Sequence, residues 1–198
     1  MKLLVFSDLH RDSAAAHSIV KCAEDVDVVV GAGDFAVKRR GIEDVLEILS
    51  GIARPSVLVP GNGESDEELR AACSEWNNAH VLHGSGVTID GMAFFGIGGG
   101  IPITSFGSWS FDFSEQEAQR ILEPCPRDAV LVSHSPPYGH VDDVGGMNLG
   151  SRSLLDTIER VSPRLVVCGH IHHCWGQSST LGSTHIFNAG PDGYVLEV

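Results

Sequence analysis

The chain has 198 residues, 42% of them hydrophobic and 20% charged, with a formal net charge of −13. That length and balance fit a single folded domain over residues 1–198 and exclude a disordered chain. Only 13 Lys and Arg stand against 26 Asp and Glu, so loose binding to duplex nucleic acid or to an anionic membrane is disfavoured.

Leu3–Phe6 reads as a buried strand, Ser13–Ala23 as a helix and Val26–Val30 as a second apolar strand. Ile42, Val45, Leu46 and Leu49 share one helical face, and Ser56–Val59 is a third short strand. Ser65 caps a helix that runs through Cys73, with acidic residues in its first turn. Unbroken apolar strands alternating with helices indicate a parallel sheet covered on both faces. Val81–Leu82, Val87–Ile89 and Ala93–Ile97 are then short strands separated by glycine turns, which predicts antiparallel pairing. Gly98–Trp109 is a long loop, and its Phe106 and Trp109, with Phe111 just beyond, either stack on an aryl group or pack the loop down. Ser114–Leu122 is a helix, Ala129–Val132 a buried strand, His134–Gly150 a loop and Ser153–Val161 a helix. Leu165–Cys168 is a strand of the first kind, and Cys174–Ser179, His185–Asn188 and Tyr194–Val198 close the chain as a meander. The five cysteines read as reduced thiols of a cytoplasmic protein, with Cys22 and Cys168 as small core residues. No apolar run approaches the ~20 residues that cross a bilayer.

The residues with metal-ligand chemistry follow the apolar strands. Asp8 and His10 come after the first strand, Asp34 after the second and Asn62 after the third. His134 follows Ala129–Val132, and His170 and His172 follow Leu165–Cys168. The carboxyl ends of parallel strands form one rim, where ligands gather. Taken singly, Asp8 or Asp34 could be a helix cap, Asn62 a turn residue and His134 a satisfied core histidine. Five such placements after five strands point instead to one site. Carboxylate oxygen with imidazole nitrogen suits borderline divalent ions. The set is too large for one structural zinc, and it fits two ions that share a carboxylate. Gly31-Ala32-Gly33-Asp34-Phe35-Ala36 also matches a dinucleotide-binding loop, but Asp34 would repel a pyrophosphate there.

The ordered set Asp8/His10, Gly33-Asp34, Gly61-Asn62, His134 and Gly169-His170-Ile171-His172 resembles the calcineurin-like metallophosphoesterases, in their small single-domain prokaryotic branch. The resemblance implies an α/β fold, a four-layer αββα sandwich of two mixed sheets. It implies that one ion takes Asp8, His10 and His172, that a second takes Asn62, His134 and His170, and that Asp34 bridges them. Asp34, Asn62 and His134 would then be catalytic, as ligands of a pair of ions that activates water for attack on phosphorus. Manganese is the first expectation for both ions, with iron, nickel, cobalt and zinc also compatible. Where many members of the family carry a histidine that helps the leaving group depart, this chain has Gly63. The expected substrates are therefore small phosphodiesters or nucleotide-type molecules with good leaving groups. His140 and His173 are candidates to replace that histidine, Arg11 to contact a phosphate, and Asp142 or Asp143 to meet a substrate hydroxyl. The alternative is a metal-binding scaffold without catalysis, which the retention of every inferred ligand opposes. The composition leaves a homodimer open.

Overall fold

The computed structural model describes residues 1–198. The first sheet contains β1 (Lys2–Phe6), β2 (Val28–Gly31), β3 (Ser56–Leu58), β4 (Ala79–Val81) and the last strand, β13 (Tyr194–Glu197), in the order β13-β1-β2-β3-β4. The second contains β5 (Ser85–Ile89), β6 (Met92–Ile97), β7 (Val130–Ser133), β10 (Leu165–Cys168), β11 (Ser178–Leu181) and β12 (Thr184–Asn188), in the order β11-β12-β10-β7-β6-β5. Both sheets are parallel in the middle, with antiparallel strands β13, β5 and β11 at their edges.

Strand alternation separates three layers of apolar side chains. Val5, Val30 and Val57 of the first sheet face Val130, Val132 and Val167 of the second, which makes the core between the sheets. Leu4, Phe6 and Val29 point the other way, under α1 (Ser13–Cys22), α2 (Ile42–Leu49) and α3 (Asp66–Ala72). Leu131 and Val166 do the same beneath α4 (Glu115–Leu122) and α5 (Arg152–Val161). The result is the expected αββα sandwich. Four of the five α-helices start at side-chain caps: Asp12 and Ser151 accept first-turn N–H groups, while Ser65 with Glu68 and Ser114 with Glu117 form reciprocal capping boxes.

Several expectations need correction. β4 pairs parallel to β3 at the edge of the first sheet, so only β5 and β6 form the anticipated hairpin. The C-terminal segments do not form a meander. β12 lies parallel to β10, and the chain then turns at Gly190 and Gly193, both at positive φ, to send β13 into the other sheet. The stretch expected to be a loop after His134 holds a small hairpin of β8 (Asp143–Val144) and β9 (Met147–Asn148) around Gly145-Gly146. Cys22 is exposed because it ends α1 on the outer face, whereas Cys168 is buried as expected, and all five thiols are free. No helix is long and apolar enough to cross a membrane.

Candidate metal centre

The carboxyl ends of β1, β2 and β3 meet those of β7 and β10 along one rim, and all seven sequence-predicted ligands converge there. Asp34 lies between two groups of them. Its Oδ2 is 3.6 Å from His10 Nε2 and its Oδ1 is 3.5 Å from His134 Nε2. On one side, Asp8 Oδ1 lies 3.7 Å from His172 Nε2, and the Nε2 atoms of His10 and His172 are 3.2 Å apart. On the other, His134 Nε2 lies 3.2 Å from Asn62 Oδ1 and 3.2 Å from His170 Nδ1. Donor atoms of Asp8, His10 and His172 lie within 4.8 Å of one another, as do those of Asp8, Asp34 and His134. Imidazole nitrogens and carboxylate and amide oxygens thus converge on one small volume, where Asp8 also accepts from His170 N and Trp175 Nε1 and Asp34 Oδ1 from Gly63 N. That donor set fits divalent cations.

Backbone strain concentrates in these loops. Asp8, His10, Asp34 and His170 all have left-handed backbones, with φ of +54°, +46°, +58° and +66°. That conformation is uncommon for non-glycine residues and often collects at functional sites. Gly33 and Gly61 permit the two carboxylate- and amide-bearing loops to cross. A Cβ on Gly33 would sit 2.6 Å from the Gly61 backbone, and one on Gly61 would collide with Asp34.

Neighbouring residues fix these candidate ligands. Glu64 is fully buried and accepts from Gly61 N at 2.6 Å and from Asp34 N and Ala36 N at 2.9 Å, which clamps the Asp34 and Asn62 loops together. His134 Nδ1 approaches Ala32 O at 2.8 Å, so the ring donates there and turns Nε2 inward. Asn62 donates its amide to Ser110 Oγ at 3.0 Å, which leaves Oδ1 for the centre. Trp175 donates from Nε1 to Asp8 Oδ2 at 3.1 Å while its ring lies 4.3 Å from that of His172. Sequence reasoning passed over Glu64, Trp175 and Ser110. Glu64 alone carried a signal, as an acidic residue directly after Gly61-Asn62-Gly63.

The electrostatics follow from burial. Burial, and then the charge of Asp8, pushes Asp34 up to about 7. Glu64 rises to about 7 through burial and the charge of Asp34. Burial would raise Asp8 too, but the hydrogen bond from His172 and the field of His134 hold it below the usual carboxylate range. Burial and the neighbouring His134 lower His170 to about 3, and the bond with Asp8 raises His172. Burial and the charge of a neighbouring carboxylate both disfavour the ionised form of Asp34, and a cation would relieve both.

A cleft of about 430 Å³ opens over the centre, with Phe106, Trp109, Lys38 and His173 among its walls. Phe106 is 54% exposed and stacks on Trp109, whereas Phe111 packs down against Phe113 and His83. His140 lies away from the cleft, with Nδ1 at 3.0 Å from Ser179 Oγ. Asp142 is buried and accepts from Gly139 N and Gly150 N, so it fastens its loop instead of facing solvent or substrate. Asp143 caps the Gly146 turn of the small hairpin. Arg11 lies outside the metal cleft and pairs with Asp44 at 2.8 Å.

The calcineurin-like phosphoesterase superfamily domain matches residues 1–195. A UPF0046 protein of Caenorhabditis elegans is 30% identical over 96% of this chain and 69% of its own length. Among solved structures, TT1561 of Thermus thermophilus superposes with a TM-score of 0.77 at 21% identity, over 96% of this chain and 90% of that one. A dimetal phosphatase from Danio rerio does so with a TM-score of 0.66 at 16% identity, over 96% and 88%. At these identities the two structures share the fold.

Proposed function

The chain belongs to the calcineurin-like phosphoesterase superfamily, and from that premise we propose that it is a dinuclear metal phosphodiesterase acting on small, activated diesters. The observation that carries this reading is Asp34, which offers one oxygen to His10 and the other to His134. Asp8, His10 and His172 would hold one ion, Asn62, His134 and His170 the other, and Asp34 both. Manganese suits the mixed oxygen and imidazole donors, and the free thiols suit a reducing cytoplasm. The chemistry that two such ions supply when bound is neutralisation of phosphoryl charge and activation of water.

The chain's own residues account for the preference. Gly63 places no acid beside the departing oxygen, and its N–H donates to Asp34 Oδ1 at 2.7 Å instead. General-acid assistance is worth about 10²–10⁴ in rate, so its loss falls hardest on poor leaving groups. The Phe106–Trp109 wall offers an apolar face to an aryl or other flat group.

The test compares bis-p-nitrophenyl phosphate with p-nitrophenyl phosphate and an alkyl monoester, after chelation and after manganese is restored. Diester cleavage is expected to need the metal, to exceed monoester cleavage and to fall at least about a hundredfold in Asp34→Ala. Equal turnover of the alkyl monoester would overturn the diester preference. Absence of turnover with two ions bound would overturn catalysis itself and favour the scaffold.

A further inference from the structure

The cleft does not end at the ligands. Val37, Lys38 and Trp109 also wall a second hollow of about 500 Å³, completed by Arg11 and Arg40. Three of these five residues are cationic and none is acidic, in a chain with only 13 Lys and Arg against 26 Asp and Glu. Asp44 pairs with Arg11 and offsets its charge, whereas Lys38 and Arg40 have no carboxylate partner. The net positive charge of the hollow therefore comes from these two side chains.

The turn that carries them is fixed. Val37 and Arg40 exchange backbone hydrogen bonds of 3.1 and 3.2 Å, and Arg39 N donates to Gly63 O at 2.7 Å, so the turn is fastened to the metal-centre loop. Lys38 and Arg39 stand at φ of +50° and +66°, a backbone that is costly for any residue but glycine and that collects at functional sites. The Lys38 ammonium lies 5.8 Å from the centroid of the Trp109 ring, and Trp109 stacks on Phe106, whose ring lies 6.4 Å from that of His170 in a T-shaped arrangement. One aromatic wall thus runs from a metal-ligand residue to the cationic hollow.

We propose that this hollow is a second anion subsite. The substrate carries, besides the diester seated at the metal centre, a further anionic group on one of its arms. That arm crosses Trp109, and its phosphate, sulfate or carboxylate end meets Lys38 and Arg40. The assignment rests on the phosphodiesterase reading and adds a requirement on the substrate that the metal centre alone does not impose.

Three diesters test it, each with p-nitrophenol as leaving group and a two-carbon second arm ending in phosphate, hydroxyl or trimethylammonium. The leaving group is constant, so differences report the arm. In the wild type, kcat/KM is expected to fall from the phosphate to the hydroxyl to the trimethylammonium arm. The first and last should differ by about tenfold or more, the size of a charge-assisted hydrogen bond. The spread should narrow with added salt, collapse in a Lys38→Gln/Arg40→Gln double variant and invert in a Lys38→Glu/Arg40→Glu double variant. Equal kcat/KM for the three arms in the wild type, or an undiminished spread in the double variant, would overturn the subsite. Non-hydrolysable phosphinates with the same arms, titrated calorimetrically into the manganese-loaded protein, keep the question separate from catalysis. If no diester turns over, the phosphodiesterase reading fails alone. The same affinity order then still supports the subsite, and equal affinities overturn it.

Discussion

The two halves of the candidate metal centre differ in how firmly the fold holds them. His134 is fully buried behind a central strand, β7, and its ring is fixed by Ala32 O. His10 and His172 lie on the opposite side with 32% and 48% of their side chains exposed, the second in a short 3₁₀ turn beyond β10. One half is therefore preset by packing, while the other is held by Asp8 and Trp175 and would depend more on the ion it binds. The difference predicts unequal consequences for substitutions that look alike on paper. In the metal-free protein, His134→Ala opens a buried cavity and strands the Ala32 carbonyl, and should cost about 2–4 kcal/mol in urea denaturation. His172→Ala should cost under about 1 kcal/mol, yet reduce the bound metal from two ions to one. Equal destabilisation by the two variants would break the comparison.

Acidification should separate the halves next. Asp34 titrates at about 7 in the metal-free protein, so below that pH it must release a proton to bind either ion. His170, lowered to about 3, is already neutral and releases none, whereas His172 is raised and does. Apparent affinity should fall about tenfold per pH unit for each proton displaced. The ion on the His10–His172 side should therefore leave first as pH drops from 7 to 5, and calorimetry in buffers of different ionisation heat would count the protons. Affinities independent of pH over that range would refute the assignment. Folding stability is a less direct readout, because opposing terms overlap. The contribution of Asp34 and Glu64, both raised to about 7, is fully present below their unfolded values and is lost as pH rises through 7. His170 acts in the opposite sense, and its penalty is relieved as pH rises from about 3 to 6.5.

The same contrast governs what could be read from the sequence. The convergence of the seven candidate residues was legible because each follows an apolar strand, and parallel strands of one chain deliver their carboxyl ends to a common rim. Left-handed backbone at Asp8, His10, Asp34 and His170 was not legible, since none is glycine and the strain is imposed by the loops that cross there. The edges were misread for a related reason. β4 and β13 are short, half-exposed segments whose partners are chosen by tertiary packing, not by their own pattern. The pairing of Arg11 with Asp44 and its place beside Lys38 and Arg40 were not legible, because they depend on a turn that nothing in the local sequence announces.

Trp175 offers the finest test of the exposed half. Its indole does two things: the ring packs on His172 at 4.3 Å, and Nε1 donates to Asp8 Oδ2 at 3.1 Å. Trp175→Phe retains an aromatic surface for His172 and removes the donor. Asp8 would keep its bond from Ser7 and those from His170 N, so the carboxylate stays in place but is less firmly oriented. The loss should be one hydrogen bond, about two- to tenfold in affinity, and confined to the ion nearer Asp8, His10 and His172. Trp175→Ala removes the stacking surface as well and should weaken that ion further. If either variant weakens both ions equally, Trp175 supports the whole rim, and the division of the centre into a preset half and a dependent half does not hold.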